Sequence, residues 1–168
     1  ANLESKNKQE DSALHIAARQ RNNPLLALLI AGGAKLNQAG GQGDTALMIA
    51  ARSCHMQSVS MLLQHKINLD AKNARGDTAL KIAAQHGHLP CVKNLVDAKA
   101  NIDSADKFGQ TPLIAAAMRD HTKIVLHLLL KGAKINMKDK QGRTALFHAL
   151  KMDRGEVAKI LAKAGGML

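Results

Sequence analysis

Two kinds of short apolar stretch alternate along the chain. One is rich in alanine and begins at a hydroxyl residue, as in Thr111-Pro112-Leu113-Ile114-Ala115-Ala116-Ala117. The other follows after a short polar break and is richer in large aliphatic residues, as in Ile124-Val125-Leu126-His127-Leu128-Leu129-Leu130. Ser12, Thr45, Thr78, Thr111 and Thr144 stand 33 residues apart, and a leucine closes each following pair: Ala13-Leu14, Ala46-Leu47, Ala79-Leu80, Pro112-Leu113 and Ala145-Leu146. A hydroxyl can accept a hydrogen bond from a free N–H at a helix start, and Pro112 suits the first helical position, where no N–H is needed. The pattern predicts five helix pairs: 12–20 with 24–31, 45–53 with 57–64, 78–86 with 90–97, 111–119 with 122–130, and 144–152 with 156–163.

The punctuation has the same period. Pro24 and Pro90 fall twelve residues after their caps, in the first turn of the second helix. Gly33 and Gly132 follow the second helix, where a left-handed residue ends it, while Lys66, Lys99 and Gly165 stand at the equivalent places. Gly43, Gly76, Gly109 and Gly142 each lie two residues before a cap, in polar connectors such as 136–143, and mark a turn that needs glycine. Glu10 replaces them in the first copy, where no earlier copy has to be joined.

The 33-residue period, the Thr-Pro-Leu stem, the Ala-Ala pair and the Gly-Ala after the second helix resemble the ankyrin repeat. The resemblance runs from about Glu4 to Leu168 and departs from the family at Lys66-Ile67 and Phe147-His148. It implies an all-α ankyrin-repeat solenoid of stacked helix-turn-helix pairs with β-hairpin-like connectors. The expected organisation is a single domain over 1–168, with repeats at about 4–36, 37–69, 70–102, 103–135 and 136–168. No helix pair can bury its apolar stripe alone, so neighbours must stack. Ala158, Lys159, Ala162 and Lys163 dilute the last second helix, as a solvated end requires, whereas Leu25 to Ile30 is apolar and leaves open an N-terminal continuation.

Composition sharpens this picture. The chain is 46% hydrophobic with two Phe, no Tyr and no Trp, so its interior is built from aliphatic residues and alanine. Lys and Arg number 24 against 13 Asp and Glu, a net charge of +11, which attracts acidic partners at long range. Cys54 and Cys91 are too few for a disulfide framework and point to a reducing, cytoplasmic setting, with a nuclear or host-delivered location left open. No apolar run approaches the ~20 residues of a membrane span, and the first residues show no basic-then-apolar pattern.

Candidate chemistry is sparse. Gly40-Gly41-Gln42-Gly43-Asp44-Thr45 lacks the Gly-Lys-Ser/Thr ending and the preceding strand of a nucleotide loop, and is read as a flexible finger between repeats. His55, His88 and His121 recur at the 33-residue period, which fits a loop-holding role; ligands at metal-binding spacing are missing. No nucleophile elbow or catalytic set stands out, so no enzyme, cofactor or metal is expected.

The resemblance implies binding through the connector tips and the exposed side of the first helices, which together line a concave groove. Carried over by register, the expected partner-binding residues are Arg52, Arg75, Lys107, Phe108, Gln110, Met118, Arg119, Lys131, Lys140, Arg143, Lys151 and Met152. The residue before the cap changes from Asp11, Asp44 and Asp77 to Gln110 and Arg143, which predicts a more basic C-terminal half. Phe108 is one of only two aromatic residues and falls at a predicted tip; exposed aromatic and Arg side chains are typical binding hot spots. The expectation is a non-enzymatic, monomeric module that binds an acidic or mixed acidic-apolar epitope of a protein or peptide. The alternatives are polyanion binding, to nucleic acid or an anionic membrane, and a targeting arm of a larger enzyme or bacterial effector. Nucleic acid is disfavoured because stacking aromatics and runs of Lys/Arg are lacking.

Overall fold

The computed structural model describes Leu3 and residues 5–168, and within them ten α-helices form five pairs in chain order. The first helices are α1 (Ala13–Arg19), α3 (Ala46–Arg52), α5 (Ala79–Gln85), α7 (Pro112–Met118) and α9 (Ala145–Lys151). The second helices are α2 (Asn23–Ala31), α4 (Met56–Leu63), α6 (Leu89–Asp97), α8 (Thr122–Leu130) and α10 (Gly155–Lys163). Thr45, Thr78, Thr111 and Thr144 cap as the pattern predicts, each accepting from the N–H three residues on at 3.2–3.3 Å. Ser12 differs, because His15 lies at the same end: its Nδ1 accepts from both the Ser12 N–H and the Ser12 hydroxyl.

Alanine sets the spacing of the stack. The first helices lie against one another more closely than the second helices do, so the layers splay outward and the first-helix side is concave. Ala17, Ala50, Ala83, Ala116 and Ala149 are fully buried, as are Ala18, Ala51, Ala84 and Ala117, each covered by the following repeat. Position 150 ends that second row with a leucine that is 54% exposed, since nothing stacks on it. Leu26, Leu62, Leu95, Leu128 and Leu161 anchor the second helices in the same continuous core. In α10, Lys159, Ala162 and Lys163 face water as expected, but Ala158 is buried.

Polar side chains fasten each layer to the next. His55 Nδ1–H, His88 Nε2–H and His121 Nε2–H donate to the Ala18, Arg52 and Gln85 carbonyls of the preceding repeat at 2.9–3.1 Å. The histidine period is therefore a row of staples across layers. A second row runs behind the connectors, where Asn37, Asp70, Asp103 and Asn136 accept from the backbone N–H of Asn68, Asn101, Lys134 and Met167.

The connectors are turns, and no strand occurs among the described residues. Asn73, Asp106 and Asp139 fold them by accepting from the N–H groups two and four residues on. One lateral bond joins neighbours at each of three joints: Ala74 N–H to Gln42, Lys107 N–H to Arg75, and Lys140 N–H to Phe108. Gly76 shows why glycine is needed, with φ 82° and the site of an added Cβ 2.7 Å from the Lys107 nitrogen. Glu10 adopts the same left-handed turn at φ 63°, so the first connector keeps the conformation without the glycine. Lys99 is left-handed like Gly33, Gly132 and Gly165, whereas Lys66 is not.

The glycine-rich segment is shaped by close packing. Residues Gly41–Gly43 form a 3-10 turn, and a Cβ on Gly40 would lie 2.5 Å from the Asp11 carboxylate, while one on Gly41 would strike the Gln9 carbonyl. The expectation of a loosely held finger is corrected on this ground: the glycines let two connectors touch.

Candidate functional site

The base of each connector is electrostatically closed. Asp11 binds Arg19 at 2.5 Å and Asp44 binds Arg52 at 2.6 Å, with both carboxylates buried. Asp77 is buried between Lys81, at 2.6 Å, and Arg75, at 3.0 Å. The Lys81 ammonium also reaches Asp106 of the next connector at 2.8 Å and is itself 2% exposed. Burial alone would raise the Asp77 pKa, but the Lys81 and Arg75 contacts outweigh it and hold the carboxyl below its ordinary value. The gradient expected from Asp11, Asp44 and Asp77 to Gln110 and Arg143 is thus not one of solvent-facing charge. Three of its members are buried acids neutralised by neighbouring cations.

Above Lys81 the groove opens into a recess of about 530 Å³, lined by Arg75, Lys81, Gln85, Asp106, Phe108, Gln110, Ala115, Met118 and Arg119. Five of the sequence-derived site residues meet here: Arg75, Phe108, Gln110, Met118 and Arg119. Phe108 is 59% exposed at the lip, held by its N–H to the Asp106 carboxylate, and Met118 is half-buried. The floor is apolar at Ala115 and internally neutral where Lys81 and Arg75 meet Asp77 and Asp106. Its unbalanced charge comes from the exposed Arg119 at the wall.

The other expected residues are spread more widely. Lys107 and Lys140 are exposed connector tips whose N–H groups make the lateral bonds. Arg52 belongs to a neighbouring recess of about 470 Å³ with Arg19 and Gln42, and is occupied by Asp44. Arg143 is turned onto Asp139, and Lys151 and Met152 are exposed at the end of α9. Lys131 caps α8, pairs with Asp97 at 2.9 Å, and lies beside Val96 and Ile102 on the second-helix side. That position corrects its inclusion in the groove: the end of a second helix faces away from the concave surface.

Lys81, Asp106, Asp139 and His148 were missed from sequence. In the last repeat His148 replaces the apolar residue of Ile49 and Ile82, and its Nε2–H donates to Asp139 at 2.8 Å. Burial would raise the Asp139 pKa, yet Arg143, His148 and backbone N–H groups hold it well below the carboxylate range. A signal did exist: Lys81 shares its register with Met48 and Ile114, and a lone lysine in a buried register demands a buried acid.

Cys91 is buried at the start of α6, and desolvation together with nearby Cys54 pushes its thiol up to about 12. Among the described residues no three His, Cys, Asp or Glu side chains gather to hold a metal ion, and no helix is long and apolar enough to cross a membrane. A family model described as ankyrin repeats, three copies, matches residues 14–106 and 80–167. No curated protein matches the chain.

Proposed function

The chain belongs to the ankyrin repeat family, whose members are in general protein–protein interaction modules, and from that premise we propose that it captures a partner protein or peptide in the concave groove at repeats three and four. The single observation that carries this reading is the recess whose lining joins an exposed Phe108 and a half-buried Met118 to Arg119. An apolar side chain of the partner enters beside Phe108 and Met118, and a flanking carboxylate meets the Arg119 guanidinium. The net charge of +11 speeds encounter with an acidic partner, and the apolar contact holds it. Lys107 and Lys140 extend the cationic rim, and Met152 with Lys151 continue it at the end of the stack.

The test is a pull-down comparing the native chain with the Phe108→Ala, Arg119→Ala double variant. Truncating a hot-spot pair is expected to weaken capture by about 2 kcal/mol or more. The melting temperature should stay put, because both side chains are exposed. Undiminished capture by the double variant removes the recess as the binding site.

A further inference from the structure

Beside the recess, at the ends of the first helices, lies a cluster of cationic and imidazole groups, two of which, His86 and Arg119, neither the core nor the staples consume. His86, the C-cap of α5, is exposed, and its ring stacks on His88 with centroids 6.0 Å apart and planes 15° from parallel. His88 is fixed by its bond to the Arg52 carbonyl, and His121 of the next repeat by its bond to the Gln85 carbonyl. Arg52 from the end of α3 and Arg119 from the end of α7 act on His86 from the two flanking repeats, joined by His88 and His121. Asp44 already occupies Arg52. Among the described residues neither the His86 nor the Arg119 side chain has a hydrogen-bond or ion-pair partner, and Asp120, the carboxylate of the same loop, forms no ion pair. Gln85 and Arg119 also line the recess, so the ridge and the recess are one continuous surface.

We propose that the His86–Arg119 ridge is the seat of a partner carboxylate, and that His86 takes up a proton as the carboxylate binds. This rests on the groove-binding reading above and adds the anion subsite next to the apolar one. While His86 is neutral, the one unspent charge of the ridge is the Arg119 guanidinium, which matches the single negative charge of a carboxylate. A phosphate dianion would find its second cation only in a protonated His86, because Arg52 is spent on Asp44. A carboxylate lying between His86 and Arg119 replaces repulsion by attraction. Burial, then the charges of Arg52, His88, Arg119 and His121, hold the imidazole below its ordinary value in the free protein. The bound anion raises it again. The sign follows: the added affinity is fully present below the free-state pKa and is lost as pH rises through the bound-state pKa.

The experiment is an NMR titration of the His86 ring between pH 5 and 8 at fixed ionic strength. It is run on the protein alone, with an acetylated and amidated Glu-Glu-Leu-Glu-Glu peptide, and with inorganic phosphate at the same concentration. The peptide is expected to raise the His86 pKa by about half a unit or more, which corresponds to about three-fold tighter binding at the acid end. His86→Gln should flatten that pH dependence, and Arg119→Gln should weaken the peptide throughout. If the peptide moves the Phe108 and Met118 resonances but not the His86 titration, the ridge is wrong and the groove stands. If it moves none of them, both readings fail. A phosphate effect as large as that of the peptide overturns the carboxylate assignment.

Discussion

At the scale of single residues, the groove floor depends on Lys81. Its ammonium bonds two buried carboxylates belonging to successive connectors, so it couples repeats three and four and, with Arg75 on Asp77, neutralises them. Lys81→Met removes that charge, strands Asp106 and leaves Asp77 only its pair with the exposed Arg75. Breaking a buried pair of this kind costs roughly 3–5 kcal/mol. Urea unfolding at neutral pH should show that loss, and it should shrink toward pH 3 as these carboxyls protonate. A destabilisation under about 1 kcal/mol would mean that water reaches the acids. Cys91 gives a chemical check on burial. With its thiol pushed up to about 12 it should resist a thiol reagent at pH 8 in the native state and react only on unfolding, while the less buried Cys54 is modified first.

At the scale of elements, small residues decide how closely layers approach. Ala84 is fully buried against the next repeat, whereas Leu150 at the same register is 54% exposed. Ala84→Leu should cost about 1–3 kcal/mol through overpacking, and Leu150→Ala should stay within about 0.5 kcal/mol. Thermal denaturation of the two variants separates the stacked register from the open one. The connector glycines offer a parallel contrast. Gly76 and Gly142 share the left-handed conformation, yet only Gly76 has a neighbouring backbone where its Cβ would lie. Gly76→Ala should therefore destabilise more than Gly142→Ala; equal losses would assign the whole effect to backbone conformation. The loop after each first helix was less legible. Arg21, Cys54, Gly87, Asp120 and Asp153 are all left-handed, but only one is glycine, so the sequence carried no repeating mark of the turn. Stacking holds the other four there against a cost of about 1–2 kcal/mol each.

At the scale of the whole molecule, stability and charge are linked through pH. His15 is wholly buried between Ser12 and the Gln38 carbonyl, and desolvation holds its pKa below the ordinary value. The unfolded chain therefore binds this proton more readily. The stability that neutral His15 contributes is complete above the unfolded pKa of about 6.5 and is lost as pH falls below it. Asp77 and Asp139, held low by their cations, add a second loss below about pH 4. Urea midpoints measured from pH 7 to 3 should decline in these two stages, and His15→Gln should blunt the first.

The 33-residue period determined the fold, because it reports interactions that stay within a repeat or between identical registers: Thr caps, turn glycines, alanines at the layer contacts. Those forces act locally and identically in each copy, so one sequence position speaks for all. The period also located the places where copies differ, Phe108, Met118 and Arg119 among them. Only the tertiary structure decided which of the differing polar residues face solvent. Lys81 reaches an acid one repeat away, Asp11 and Asp44 turn inward to Arg19 and Arg52, Lys131 falls on the opposite side, and His86 is left unpaired beside the recess. Ion pairing acts through space between long, rotatable side chains, and a repeat pattern fixes where each chain begins but not where its charge ends.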